Sequence, residues 1–277
     1  MKKSLVLLLI SSLVSGLYAR QPRTVVEPPF AFRNSGTLEI ERIELAPEST
    51  TVYIQAYFRP HNWIRISSET YIRAGAEGEK LTVRSADGMP LDTEFYMPET
   101  GRHDFSLSFP PVDPKTAKID LIESDCPDCF KIYDIDLTGK KAKPGRSALA
   151  KKYKKTVPLT ENFTAPIVSD SPARIAGAIT GYDLRFFDRI EIAFYSPIVG
   201  DGATELKVPV HADGSFETEL NILTPICGTL FLPGFVTLPF YAEPGRETAL
   251  EIDLGAVYRK TSVFKELHPQ TSPVAYY

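Results

Sequence analysis

Apolar and polar residues alternate along most of this chain, and the alternation predicts strands rather than helices. Leu38, Ile40 and Ile43 alternate imperfectly, and Thr51-Val52-Tyr53-Ile54-Gln55-Ala56-Tyr57 then reads as a strand. Short runs of the same kind follow at Ile64-Arg65-Ile66, Tyr71-Ile72-Arg73, Leu81-Thr82-Val83, Phe105 to Phe109, Ile119 to Ile122 and Ile132 to Leu137. Period two turns one face of each run inward and leaves the other wet. Ala86-Asp87-Gly88 and Glu99-Thr100-Gly101 read as turns between the runs. Short strands at this spacing predict a β-sandwich over 37–138.

A second set of runs predicts another sandwich over 170–256. It opens at Arg174 to Ile179 and continues at Ile190 to Tyr195. Leu206 to Val210 and Ser215 to Leu220 flank Ala212-Asp213-Gly214, and Asp-Gly between alternating runs is the strongest local hairpin signal in the chain. Glu243-Pro244-Gly245-Arg246 forms a turn before Ala249 to Leu254. No charged residue falls between Leu220 and Ala242, which raises a membrane reading. Pro225, Pro233 and Pro239 oppose it, because each proline costs a helix about 3 kcal/mol. Buried strands joined by tight turns fit better, with an exposed apolar partner surface as the other reading. The expected class is therefore all-β, two small antiparallel Ig-like sandwiches in tandem. Helical periodicity is weak, its best instance lying around Ser147 to Lys155.

Composition agrees: 23 Pro, 17 Gly, 16 Phe and 13 Tyr suit a turn-rich, aromatic β protein. The segment 1–19 starts with Lys2 and Lys3, runs apolar from Leu5 to Ile10 and reaches small residues before Ala19. This reads as a secretory signal peptide, too short for a spanning helix of about 20 residues. The expected address is exported, periplasmic or outer-membrane-associated. The net charge is −4 and becomes two units more acidic without Lys2 and Lys3, which argues against nucleic acid as a partner. The arm 20–36 and the tail 257–277 read as poorly ordered. Between the modules, 139–169 is basic and carries prolines. Its Lys151, Lys152, Lys154 and Lys155 read as a solvated linker, or as a peripheral contact with an anionic surface.

Candidate chemistry centres on Cys126-Pro127-Asp128-Cys129. Such a pair can be a redox dithiol, half a metal site or a structural disulfide. A reactive thiol wants a helix N-terminus or cationic neighbours. Here strands flank the motif, and Glu123, Asp125, Asp128 and Asp134 disfavour a thiolate. A closed zinc site wants four ligands, whereas His61, His103, His211 and His268 are scattered. A hairpin clasp by a structural disulfide is the favoured reading, and redox use of the pair is the alternative. Cys227, in an apolar run, reads as a buried thiol. Glu39 and Glu41 share one strand face and read as solvated. A core position in the first sandwich is the favoured reading of Trp63, with His61-Asn62-Trp63 as a binding element the competing one. No nucleophile elbow, phosphate loop or H-E-x-x-H occurs. No cofactor or catalytic residue is assigned.

Ala56-Tyr57-Phe58-Arg59-Pro60-His61-Asn62-Trp63-Ile64, Leu121 to Cys126 and Cys129-Phe130-Lys131-Ile132 resemble the N-terminal region of secreted TlpA-like thiol-disulfide oxidoreductases of Gram-negative gut anaerobes. Asp213-Gly214-Ser215-Phe216, Glu243-Pro244-Gly245 and Ile252-Asp253-Leu254 resemble the second β module of the same proteins. In that family a C-terminal thioredoxin-fold domain carries a Trp-Cys-x-x-Cys motif. Trp63 precedes no Cys and no such motif occurs before Tyr277, so the resemblance implies the accessory half only. The expected function is non-catalytic binding, beside an extracytoplasmic protein partner or a separate thioredoxin-fold protein. A carbohydrate- or peptide-binding module using exposed Tyr and Phe is the further alternative.

Overall fold

The computed structural model describes residues 22–140, 168–196, 198, 202–264 and 272–277. The signal-peptide reading of 1–19, the weak helix at Ser147 to Lys155, and Lys151, Lys152, Lys154 and Lys155 lie outside the described residues. The described chain is all-β with one helix.

The first half supplies β1 (Arg23–Val26), β2 (Phe32–Arg33), β3 (Leu38–Leu45), β4 (Thr50–Tyr57), β5 (Trp63–Ile64) and β6 (Tyr71–Arg73). It continues with β7 (Leu81–Thr82), β8 (Ser85–Asp87), β9 (Phe95–Tyr96), β10 (Arg102–Phe109), β11 (Lys118–Ile122) and β12 (Lys131–Asp136). Two sheets, in the orders β1-β3-β4-β10-β8 and β2-β12-β11-β6-β7, close over one core, while β5 and β9 form a separate ribbon. Alternation makes the core: Phe105, Leu107 and Phe109 of β10 face Ile119, Leu121 and Ile135 across the sandwich.

The second half supplies β13 (Ala173–Thr180), β14 (Arg189–Tyr195), β15 (Ala203–Pro209), β16 (Ser215–Leu220), β17 (Ile226–Leu232), β18 (Val236–Ala242), β19 (Glu247–Asp253), helix α1 (Leu254–Thr261) and β20 (Val274–Tyr276). Its sheets run β16-β13-β19-β20 and β15-β14-β17-β18. Gly177 and Gly228 each lie beneath the phenylalanine opposite, Phe216 and Phe240. A Cβ at either glycine would collide with that ring. The absent side chain is what lets the ring cover the strand.

Several expectations change. The Asp213-Gly214 turn is no hairpin ladder. β15 pairs with β14 and β16 with β13, so the turn carries the chain from one sheet to the other. Gly214 at φ +80° packs against Ile179, which aims the chain across. β13 and β19 pair in parallel, because the turn at Glu243–Arg246 brings β19 in beside the start of β13. Ala86 and Asp87 belong to β8 rather than to a turn. The arm is ordered: β1 pairs with β3, and Phe32 and Arg33 are buried. The described parts of the tail are ordered too, 257–264 through the end of α1 and 272–277 through β20, which pairs with β19. Cys227 points outward on β17 and is exposed.

The two sandwiches pack on one another. Phe32 stacks on Phe186 at 5.1 Å and meets Tyr258 edge-on at 5.2 Å, which joins the arm to the second core. Glu39 is not solvated: it and Arg33 are each 2% exposed and pair at 2.7 Å. Residues just past α1 cover the outer face of β3, where Ser262 donates to Glu39 at 3.0 Å and the Val263 amide at 3.2 Å. Arg185 makes a second bridge, to Asp120 and Asp134, each at 2.9 Å.

Candidate functional site

The β5–β9 ribbon presents two paired aromatic groups to water. Trp63 pairs with Tyr96 and Ile64 with Phe95. Alternation turns Ile64 toward the first core and Trp63 outward, so Trp63 is 48% and Tyr96 60% exposed. This overturns a core position for Trp63. A two-residue ribbon buries one side only, and the inner side is taken by Ile64 and by Phe95, which stacks on His103 at 4.1 Å. Phe58 is also exposed, in the loop that leads to the ribbon.

Backbone bonds hold the ribbon. The His61 amide donates to the Met97 carbonyl at 3.0 Å, and the Met97 amide to the Asn62 carbonyl at 2.9 Å. His61 has φ 62°, a left-handed conformation that turns the chain into β5. Its Nε2 lies 2.7 Å from Glu99 in the turn between β9 and β10, both groups in solvent. The Tyr96 hydroxyl donates to Glu94 at 2.9 Å, and that bond raises the phenol pKa. The surface is thus two aromatic side chains rimmed by imidazole, carboxylate and the Asn62 side chain. His61 and Trp63 come together here. Tyr96 was missed, because Glu94-Phe95-Tyr96-Met97 is too short a run to stand out as a strand.

The second sequence candidate lies in the turn between β11 and β12. A disulfide joins Cys126 and Cys129 there, with no helix at either sulfur. Asn34 of the arm clasps the loop. Its side-chain amide donates to the Cys129 carbonyl at 2.7 Å, and its oxygen accepts from the Lys131 amide at 2.7 Å. Asp125 is held by Lys80 at 2.7 Å and by the Tyr71 hydroxyl at 2.9 Å, and these bonds lower its pKa. Glu123 is raised, because burial outweighs the hydrogen bond from the Phe130 amide. The Ser124 hydroxyl lies 3.2 Å from the Cys129 sulfur. Sequence reading missed Asn34, which is 95 residues from Cys129.

A third surface lies on the outer face of the β15-β14-β17-β18 sheet, where Tyr241 stands opposite the exposed Cys227. Phe231 and Phe235, also in the uncharged stretch from Leu220 to Ala242, are exposed. Among the described residues, no three His, Cys, Asp or Glu side chains converge as metal ligands. No described helix is long and apolar enough to cross a membrane. No protein-family model matches the sequence, and a search of curated proteins finds no match.

Proposed function

We propose that this chain is an exported, non-catalytic binding protein that engages carbohydrate through the Trp63–Tyr96 ribbon. The observation that carries the reading is a paired indole and phenol, both outward, on a ribbon whose other side is anchored in the core. Aromatic faces cover the apolar faces of sugar rings, while the tyrosine hydroxyl and neighbouring polar side chains can exchange hydrogen bonds with sugar hydroxyls. Glu94, Glu99, His61 and Asn62 supply such groups at the rim. Export is supported by the basic-then-apolar start and by the disulfide, a bond that persists in oxidising compartments. The resemblance to the accessory half of TlpA-like oxidoreductases fits a binding role beside a separate catalytic partner.

Trp63 is the only tryptophan of the chain, so its emission reports on this surface directly. Titration with soluble oligosaccharides should quench or shift that emission, and Tyr96→Ala should abolish the response with the fold retained. Oligosaccharides that leave Trp63 unaffected while extended peptides perturb it would move the assignment to peptide recognition.

The exposure of Cys126 favours one second reading, a redox role for the pair. Turnover in an insulin-reduction assay that vanishes in Cys126→Ser would establish it in place of the scaffold role.

A further inference from the structure

A cavity of about 230 Å³ lies between the two sandwiches, away from the aromatic ribbon. Phe30 and Ala31 of the arm, Asp136 of β12, Gly181 after β13, and Gly255 and Arg259 of α1 line it. Cavities at the seam of two modules are frequent ligand sites.

Arg259 sets its character. The residue is only 9% exposed. No described residue forms a hydrogen bond or ion pair with its guanidinium. The other charges at the cavity have partners. Lys118 pairs with Asp134 at 3.0 Å, and Asp253 accepts from the Ala256 amide at 2.9 Å. Helical side chains lean toward the N-terminus, and Arg259 does so far enough that a Cβ on Gly255 would stand 2.8 Å from its Nη1. The guanidinium therefore lies at the positive end of the helix dipole, the wrong end for a cation. An anion placed there would be attracted by the guanidinium, while the Asp253 carboxylate, whose Oδ1 would stand 3.6 Å from the same Cβ, already caps the first turn of α1.

The remaining walls narrow the class. Asp134, Asp136 and Asp253 border the same space, which disfavours a dianion such as phosphate. Asp136 engages its Oδ1 with the Thr138 amide at 2.6 Å and can face a ligand ammonium with its other oxygen. Phe30 and Ala31 form an apolar wall.

We propose that this cavity binds a free α-amino acid with an apolar side chain. Its carboxylate sits on Arg259, its ammonium faces Asp136, and its side chain lies against Phe30 and Ala31.

The test is calorimetric and thermal-shift titration of the whole chain at constant ionic strength. The probes are L-leucine, 4-methylpentanoate, which lacks the ammonium, and 3-methylbutylamine, which lacks the carboxylate. L-leucine should bind and raise the unfolding midpoint, 4-methylpentanoate should bind more weakly, and the amine should not bind. Arg259→Met should weaken L-leucine about tenfold or more, the loss expected for a charge-assisted hydrogen bond. Asp136→Asn should weaken L-leucine and leave 4-methylpentanoate unchanged. Absence of L-leucine binding at millimolar concentration overturns the proposal, as does equal affinity in Arg259→Met or amine binding as tight as that of L-leucine. If Arg259→Met does not fold, Gly255→Ala takes its place, since the added Cβ displaces the guanidinium. Unchanged L-leucine affinity in that variant overturns the proposal equally.

Discussion

Replacing Arg185 with Met should uncouple the two sandwiches. The guanidinium bonds Asp120 and Asp134 of the first sandwich at 2.9 Å each and Asp183 of its own loop at 3.1 Å. Burial opposes its charge, but the surrounding carboxylates outweigh burial and raise its pKa further. Asp120 is 1% exposed and would keep Arg73 at 3.2 Å and the Asp134 amide at 3.0 Å. It would therefore be weakened rather than stranded. Two charge-assisted bonds across the seam, with methionine retaining the packing on Tyr133 and Phe186, put the cost at about 3 kcal/mol. For a protein of this size that corresponds to roughly 6–12 °C in Tm. Urea unfolding followed by Trp63 emission reports the first sandwich, and far-ultraviolet circular dichroism reports both. In Arg185→Met the two signals should separate into two transitions. Arg174→Met serves as the control: Arg174 pairs with Glu217 and Glu247 on an exposed face, where a pair is worth less than about 1 kcal/mol. If Arg185→Met costs no more than Arg174→Met, the seam is not held by this cluster and the reasoning fails.

Gly228→Ala should cost about 1–3 kcal/mol in urea unfolding, because the new Cβ meets the Phe240 ring; a neutral result would mean that the ring can move aside. Glu123→Gln should stabilise the protein at neutral pH. Burial raises the Glu123 carboxyl above its unfolded value, so its contribution is fully present below the unfolded pKa and is lost as pH rises through the folded one. The advantage of the variant should grow from acid toward neutral pH, and a gap that widens toward acid would contradict the assignment. Native protein should take up one maleimide at Cys227 without denaturant, read by intact mass, and protection of that thiol would mean the outer face of β17 is covered.

Strand positions were legible because alternation is a local property. Thr51 to Tyr57 and Phe105 to Phe109 lie within β4 and β10 as read, and Ile190 to Tyr195 and Ser215 to Leu220 lie within β14 and β16. What alternation cannot report is which strand sits alongside or what lies over a face. Asp213-Gly214 marks a turn in either case, and only the pairing partners decide that it crosses between sheets. The aromatic ribbon was half visible, since Trp63 stood out and Tyr96 lay in a run too short to signal a strand.

By itself the sequence determined an all-β chain, turns such as Asp213-Gly214 and Glu243 to Arg246, and a cysteine pair too close in sequence to be other than local. Tertiary structure decided the fate of the outward faces. Glu39 sits at a position alternation assigns to water, yet Arg33 and the residues after α1 bury it. Cys227 sits in an apolar run, yet nothing in the described fold covers it. Trp63 has the size for a core and faces solvent, because Ile64 holds the inner side of its ribbon. Side-chain alternation is set within a few residues of chain, whereas the cover over a face comes from segments that can be two hundred residues away, as Ser262 is from Glu39.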